Sequence, residues 1–137
     1  MRSVVAALVL PFAAPVLAHH SGAGVDRTKT VTVTGVVKDF RWTNPHSWID
    51  LEVPNQKGTS DLWSIEMNPP PFLIRAGRRA STLKPGDKVS FALNPMRNGD
   101  AGGIFVSVAL ADGRIFSGRA GGRGAPAQAP AATPPRQ

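Results

Sequence analysis

The chain has 137 residues, enough for one domain of ordinary size and no second core. Thirteen prolines and 14 glycines, with no tyrosine, favour short strands joined by turns, and the absence of cysteine excludes disulfides, thiolate metal sites, iron–sulfur clusters and thiol catalysis. The net charge of +7 resembles a nucleic-acid signal, but Arg2, Arg119, Arg123 and Arg136 lie at the two ends, and residues 19–116 carry 12 basic against 9 acidic side chains. That balance is ordinary for a soluble domain.

Residues 1–18 begin with Arg2, continue through an apolar run from Val4 to Ala14 and end Val16-Leu17-Ala18, the three-part pattern of a cleaved secretory leader. Pro11 and Pro15 interrupt the apolar run, which falls short of the about 20 residues a spanning helix needs. A cut after Ala18, a periplasmic or secreted mature chain and no stable membrane insertion are therefore expected. The compartment in turn disfavours nucleic acid as a partner.

The mature chain then starts His19-His20-Ser21, and residues 19–29 read as an extended arm, flexible unless tied down. Residues 30–42 are rich in β-branched side chains, with Val31 and Val33 on one parity and Val36, Phe40 and Trp42 on the other. Gly35 between them predicts a bulge or sharp bend. After the Asn44-Pro45-His46 corner, Ile49, Leu51 and Val53 alternate with Trp48, Asp50 and Glu52. Following a turn at residues 54–58, Trp63, Ile65 and Met67 alternate with Leu62, Ser64 and Glu66, which predicts a hairpin.

Asn68 is placed to cap a short helix with Phe72, Leu73 and Ile74 on its apolar side and Gly77 at its end. A turn at Pro85-Gly86-Asp87 leads to a strand with Val89, Phe91 and Leu93 inward. Ile104, Val106, Val108 and Leu110 mark the last long strand, and Asp112-Gly113 turns into a stub at Ile115 and Phe116. The expected fold is all-β: a small five-stranded Greek-key barrel of the OB type over residues 30–116, with one short helix between strands 3 and 4. Of residues 117–137, 14 are Gly, Ala or Pro, so this tail is expected to be disordered.

Several motifs together resemble a family of small secreted bacterial proteins classed as a domain of unknown function. They are His19-His20-Ser21 directly after the leader, Val33-Thr34-Gly35-Val36-Val37, Trp42-Thr43-Asn44-Pro45-His46, Trp63-Ser64-Ile65-Glu66, Leu83-Lys84-Pro85-Gly86-Asp87 and Asp112-Gly113-Arg114. The stretch Asn68-Pro69-Pro70-Pro71 departs from the family by its extra proline. The resemblance implies a secreted one-domain protein and no established activity. A weaker resemblance, at the level of fold, is to periplasmic copper and silver chaperones, whose residue types are matched here by His46, Met67, Met96 and the tryptophans.

The chemistry with most support in the residues is metal binding. A mature amino-terminal His19 offers its amine and its own imidazole to one ion, His20 offers a second chelate through its amide and imidazole, and His46 is the one histidine elsewhere. Such nitrogen sets suit copper(II). Ser21 at the third mature position excludes the four-nitrogen amino-terminal motif. Against this stands the plainer reading, in which His19 and His20 are a solvated start and His46 a hydrogen-bonded corner residue. Trp42 and Trp48 are candidates for a binding surface that holds a protein or saccharide without metal, against core filling as the plain alternative. Arg78 and Arg79 read as a solvated turn, and Asp50, Glu52 and Glu66 as an outward charge ladder. No nucleophile, phosphate loop or zinc-protease motif supports catalysis, so binding, by a monomer, is favoured over enzymatic activity. Copper handling leads and the non-metal interaction module follows.

Overall fold

The computed structural model describes residues 22–118. The leader, His19, His20 and residues 119–137 lie outside the described residues. Six strands and one helix follow in the order β1 (Val31–Arg41), β2 (Trp48–Pro54), β3 (Ser60–Glu66), α1 (Pro70–Arg75), β4 (Lys88–Pro95), β5 (Gly102–Leu110) and β6 (Ile115–Ser117). They form one sheet ordered β3-β2-β1-β4-β5-β6, and a parallel pairing of β3 with β5 closes the first five into a barrel. This is the expected OB-type connection, with the helix between strands 3 and 4 and β6 as an addition to β5.

Closure depends on β1 serving two partners. Its first half, Val31 to Val36, pairs with β4, and its second half, Val36 to Arg41, pairs with β2. The strand must coil sharply between them, and Gly35 permits it: a Cβ there would stand 2.3 Å from the carbonyl oxygen of Glu52. The register irregularity itself falls later, between Val37 and Asp39. Val33, Gly35 and Val37 are buried, and beyond the irregularity Phe40 and Trp42 pack on the core. The parity therefore changes at Lys38, not at Gly35, and Val37 rather than Val36 is the inward residue. A glycine marks where backbones approach, but the extra residue of a bulge carries no composition of its own.

The interior follows the other predicted parities. Ile49, Leu51, Ile65, Phe91 and Leu93 are fully enclosed, and Phe105 meets Phe91 edge to face at 5.8 Å between ring centres. Trp63 packs against this core, as its parity requires. Gly103 lets β4 and β5 close at the barrel end, since a Cβ there would lie 2.1 Å from the carbonyl oxygen of Asn94.

The helix differs from its sequence reading. Pro69 occupies the cap position without a side-chain bond, while the Asn68 amide donates to the Gly118 carbonyl at 2.6 Å. Three consecutive prolines move the start by one residue, because proline is pre-set for the first helical positions. Only Leu73 of the apolar trio is buried; Phe72 and Ile74 are 53% and 59% exposed. Gly77, with φ of +78°, ends the helix, and the Arg78 amide turns back to the Leu73 carbonyl at 2.9 Å.

Residues 22–29 are tied down. Val25 is 2% exposed and bridges Met96, and the Asp26 amide donates to the Pro95 carbonyl at 2.9 Å. The Arg97 amide reaches the Gly24 carbonyl at 2.8 Å, and its Nε reaches the Val25 carbonyl at 3.1 Å. At the other end β6 continues through Ser117, and the Gly118 amide donates to Val106 at 2.7 Å. Both ordered ends thus reach past residues 30–116. Among the described residues no helix is long and apolar enough to cross a membrane.

Candidate metal centre

His46 lies in the β1–β2 connection, after an Asn44–Pro45 peptide that is cis. Its backbone is anchored from two sides: the Thr43 hydroxyl donates to the His46 carbonyl at 3.1 Å, and the Met67 amide donates to the neighbouring Ser47 carbonyl at 2.8 Å. These contacts bring the imidazole to the end of β3. There Nδ1 stands 3.1 Å from Oε1 of Glu66 and 3.2 Å from the Met67 carbonyl oxygen. Both neighbours accept hydrogen bonds, so in the neutral ring Nδ1 carries the hydrogen and Nε2 keeps its lone pair. A carboxylate or carbonyl behind one ring nitrogen is the arrangement that orients a histidine whose other nitrogen binds a metal. The His46 side chain is 40% exposed and the Glu66 side chain 7%.

Glu66 is a correction to the charge ladder. It occupies an outward position of β3, opposite Trp48, but the side chain is buried. Asp50, also outward, is largely covered, its side chain 16% exposed. It pairs with the Arg41 guanidinium through both carboxylate oxygens and accepts from the Ser64 hydroxyl at 3.0 Å. The Arg41 hydrogen bond holds the Asp50 carboxyl below its ordinary range, against the opposing effect of burial, with the Ser64 bond assisting. Only Glu52 of the three stands in solvent, 3.3 Å from Lys38.

A cavity of about 190 Å³ opens at His46, and Gly22, Arg27 and Glu66 contribute to its wall. Gly22 is the first described residue, so the pinned segment delivers the chain that follows His19 and His20 to the cavity of His46. Arg27 adds a positive charge on the same wall, which Glu66 opposes. A second cavity, about 300 Å³, shares Glu66 with the first and is lined by Trp48 and Met96. Trp42 lines neither; it stacks edge-on against Phe40 at 5.6 Å and faces a third cavity beside Arg78 and Arg79. The two tryptophans thus do not share a cavity. Met67 is buried in the core at 3% exposure, which removes its thioether as a ligand.

Among the described residues no group of three or more His, Asp or Glu side chains gathers at metal-binding distance. Among the described residues His46, with Glu66 behind it, is thus not joined by two further side chains of these types. Sequence reasoning missed Glu66 because parity distinguishes the two faces of a strand and not what covers the outer one. The available signal was its cross-strand neighbour Trp48, a large side chain able to shield it.

Residues 7–106 match the model of a family of unknown function, DUF6152. No curated protein and no solved structure matches the chain.

Proposed function

We propose that this chain, which belongs to the DUF6152 family, is a secreted or periplasmic copper-handling protein that holds one Cu(II) between its mature amino terminus and His46. The observation that carries the reading is that Gly22 and His46 line one cavity. Three residues of chain span at most about 11 Å, so a mature start at His19 lies within reach of the His46 ring. The His19 amine and imidazole, with His20 as the alternative chelate, supply the near nitrogens, and His46 Nε2 supplies the distant one. Glu66 and the Met67 carbonyl hold the ring in the tautomer that this requires. Nitrogen ligands in this number suit Cu(II).

The amine must lose its proton to bind, and its reference pKa is roughly 7.7 to 8.0, so affinity falls as the pH drops below that range. Calorimetric titration of Cu(II) into protein that starts at His19 tests the reading. One equivalent should bind tightly, and one glycine added before His19 should weaken it by about a hundredfold or more, equivalent to the loss of a chelating group. Equal binding by both forms would remove the amino terminus from the site.

A second reading, an interaction module holding a protein or saccharide, draws on Trp48, which is half-buried at the mouth of the cavity it shares with Met96. Binding of a partner that quenches Trp48 fluorescence in copper-free protein, with no copper titration, would favour it.

A further inference from the structure

The turn after the helix separates Arg78 from Arg79. Arg78 is read from sequence as part of a solvated turn, and it is instead 5% exposed. Its guanidinium lies 5.8 and 5.3 Å from the ring centres of Phe105 and Phe116 and donates to the Ser117 carbonyl. Arg79 stays in solvent, as does Arg75 at the end of the helix. Among the described residues neither Arg75 nor Arg79 has a carboxylate within ion-pair distance. Their own segment offers none, since residues 67–86 include Arg75, Arg78, Arg79 and Lys84 and no Asp or Glu.

The same segment exposes apolar bulk. Ile74 and Phe72, 59% and 53% exposed, are the most exposed large apolar side chains among the described residues. Successive helical residues turn by about 100°, so with Leu73 buried the outer arc of α1 runs from Phe72 through Arg75 to Ile74. The Arg75 guanidinium lies over the Phe72 ring at 5.9 Å. Beyond Ile74 the surface continues to Trp42 and Arg79, which line one cavity with it. Clustered exposed apolar side chains mark an interaction surface, and the charge selects the partner. We infer that this face docks reversibly on an anionic phospholipid surface, with Phe72, Ile74 and Trp42 at the headgroup level and Arg75 and Arg79 against lipid phosphates. Bulky apolar and indole side chains beside arginine settle at a bilayer interface, and each nearby cation adds attraction to an anionic leaflet. An acidic protein would satisfy the cations, but Phe72 and Ile74 stand on opposite flanks of the helix, so a rigid partner needs a groove to reach both. A fluid headgroup layer closes around them. The helix is six residues long, so the contact is peripheral. The inference involves neither the histidines nor copper and stands whether or not the metal reading holds.

The test is flotation of processed, metal-free protein with vesicles of phosphatidylcholine, alone or mixed with phosphatidylglycerol. Binding should be confined to the mixed vesicles, fall as salt is raised, and shift tryptophan emission to the blue. Trp42→Phe should remove most of that shift, because Trp63 packs on the core and Trp48 lines a different cavity. Arg79→Ala should weaken binding by about fivefold, the loss of one cation at the surface. Lys57→Ala removes the same charge from the exposed turn at the end of the β2–β3 hairpin away from the helix. It should change binding by less than about twofold, since charges beyond a Debye length are screened. Phe72→Ser combined with Ile74→Ser, both at exposed positions and checked by circular dichroism, should weaken binding by about tenfold or more. Equal losses from Arg79→Ala and Lys57→Ala would reduce the effect to net charge and overturn the inference, as would unchanged binding in the serine pair. Failure to bind the mixed vesicles would also overturn it and leave the face to an acidic protein.

Discussion

Nδ1 of His46 stands 3.1 Å from the buried carboxylate of Glu66, although His46 precedes the β2–β3 hairpin and Glu66 ends it. The hairpin register explains the meeting: Trp48 pairs with Glu66, so the residue two before Trp48 reaches the residues that end β3. The contact engages Nδ1 and leaves Nε2 as the ring nitrogen not used by Glu66 or the Met67 carbonyl. Glu66→Gln preserves shape while removing the negative acceptor, and should lower Cu(II) affinity by about 10- to 100-fold, as for other groups that orient a metal-bound histidine. Calorimetry on folded variant, checked by circular dichroism, measures it; unchanged affinity would reduce Glu66 to a structural partner.

Pinning of the amino-terminal segment should matter for copper as well as for stability. Val25→Ala removes two methyl groups from a side chain that is 2% exposed, a loss of about 1.6 kcal/mol at about 0.8 for each. It should also weaken Cu(II) binding, because a released segment must be ordered again on binding. Denaturant unfolding and calorimetry on the same preparation separate the two effects. A lower stability with unchanged copper affinity would show that docking at Val25 does not position the terminus.

Acid should weaken the outer face of β2. The Asp50 carboxyl is depressed by its hydrogen bonds from Arg41 and Ser64, so the folded state favours the ionised form. For a depressed carboxylate the stabilisation is complete above the unfolded pKa, near 3.9, and is lost as pH falls through the lower folded value. Arg41 is 41% exposed, so the pair is screened and worth under about 1 kcal/mol. Thermal melts of wild type and Asp50→Asn should differ at pH 6 and converge as the pH falls below the depressed folded value. A gap that persisted into acid would mean that the asparagine acts through packing.

Barrel closure should be intolerant of a methyl group at Gly35. A Cβ there meets backbone, the Glu52 carbonyl, and cannot be relieved by a side-chain rotation. Gly35→Ala should cost about 1 to 3 kcal/mol by overpacking. Gly58→Ala, at a turn where a Cβ meets nothing within 4 Å, isolates the effect of a positive φ without a clash. Urea unfolding of the two variants compares them, and an equal loss would place the cost in conformation and not in the close approach.

The fold was legible because alternation reports burial directly: Ile49, Leu51, Ile65, Phe91 and Leu93 stand where their parity put them. The bulge at Lys38 was not legible, since it depends on how β1 is shared between β2 and β4. The same limit hid Glu66 and Arg78. Each occupies a position that is outward or loop-like by local pattern and becomes interior through segments distant in sequence: Trp48 and the pinned chain for Glu66, β5 and β6 for Arg78. His46 stood out by residue type alone, and its fixed tautomer required the tertiary contact with residues 66 and 67. His19 and His20 lie outside the described residues, so their part rests on chain reach from Gly22.

The proposed copper site is tested most directly by electron paramagnetic resonance of one equivalent of Cu(II) in processed protein starting at His19, in His46→Ala and in protein with one added amino-terminal glycine. The expected result is a single tetragonal spectrum with nitrogen couplings that loses one imidazole in His46→Ala and changes throughout in the extended form. Identical spectra from all three proteins would contradict a site shared by the amino terminus and His46.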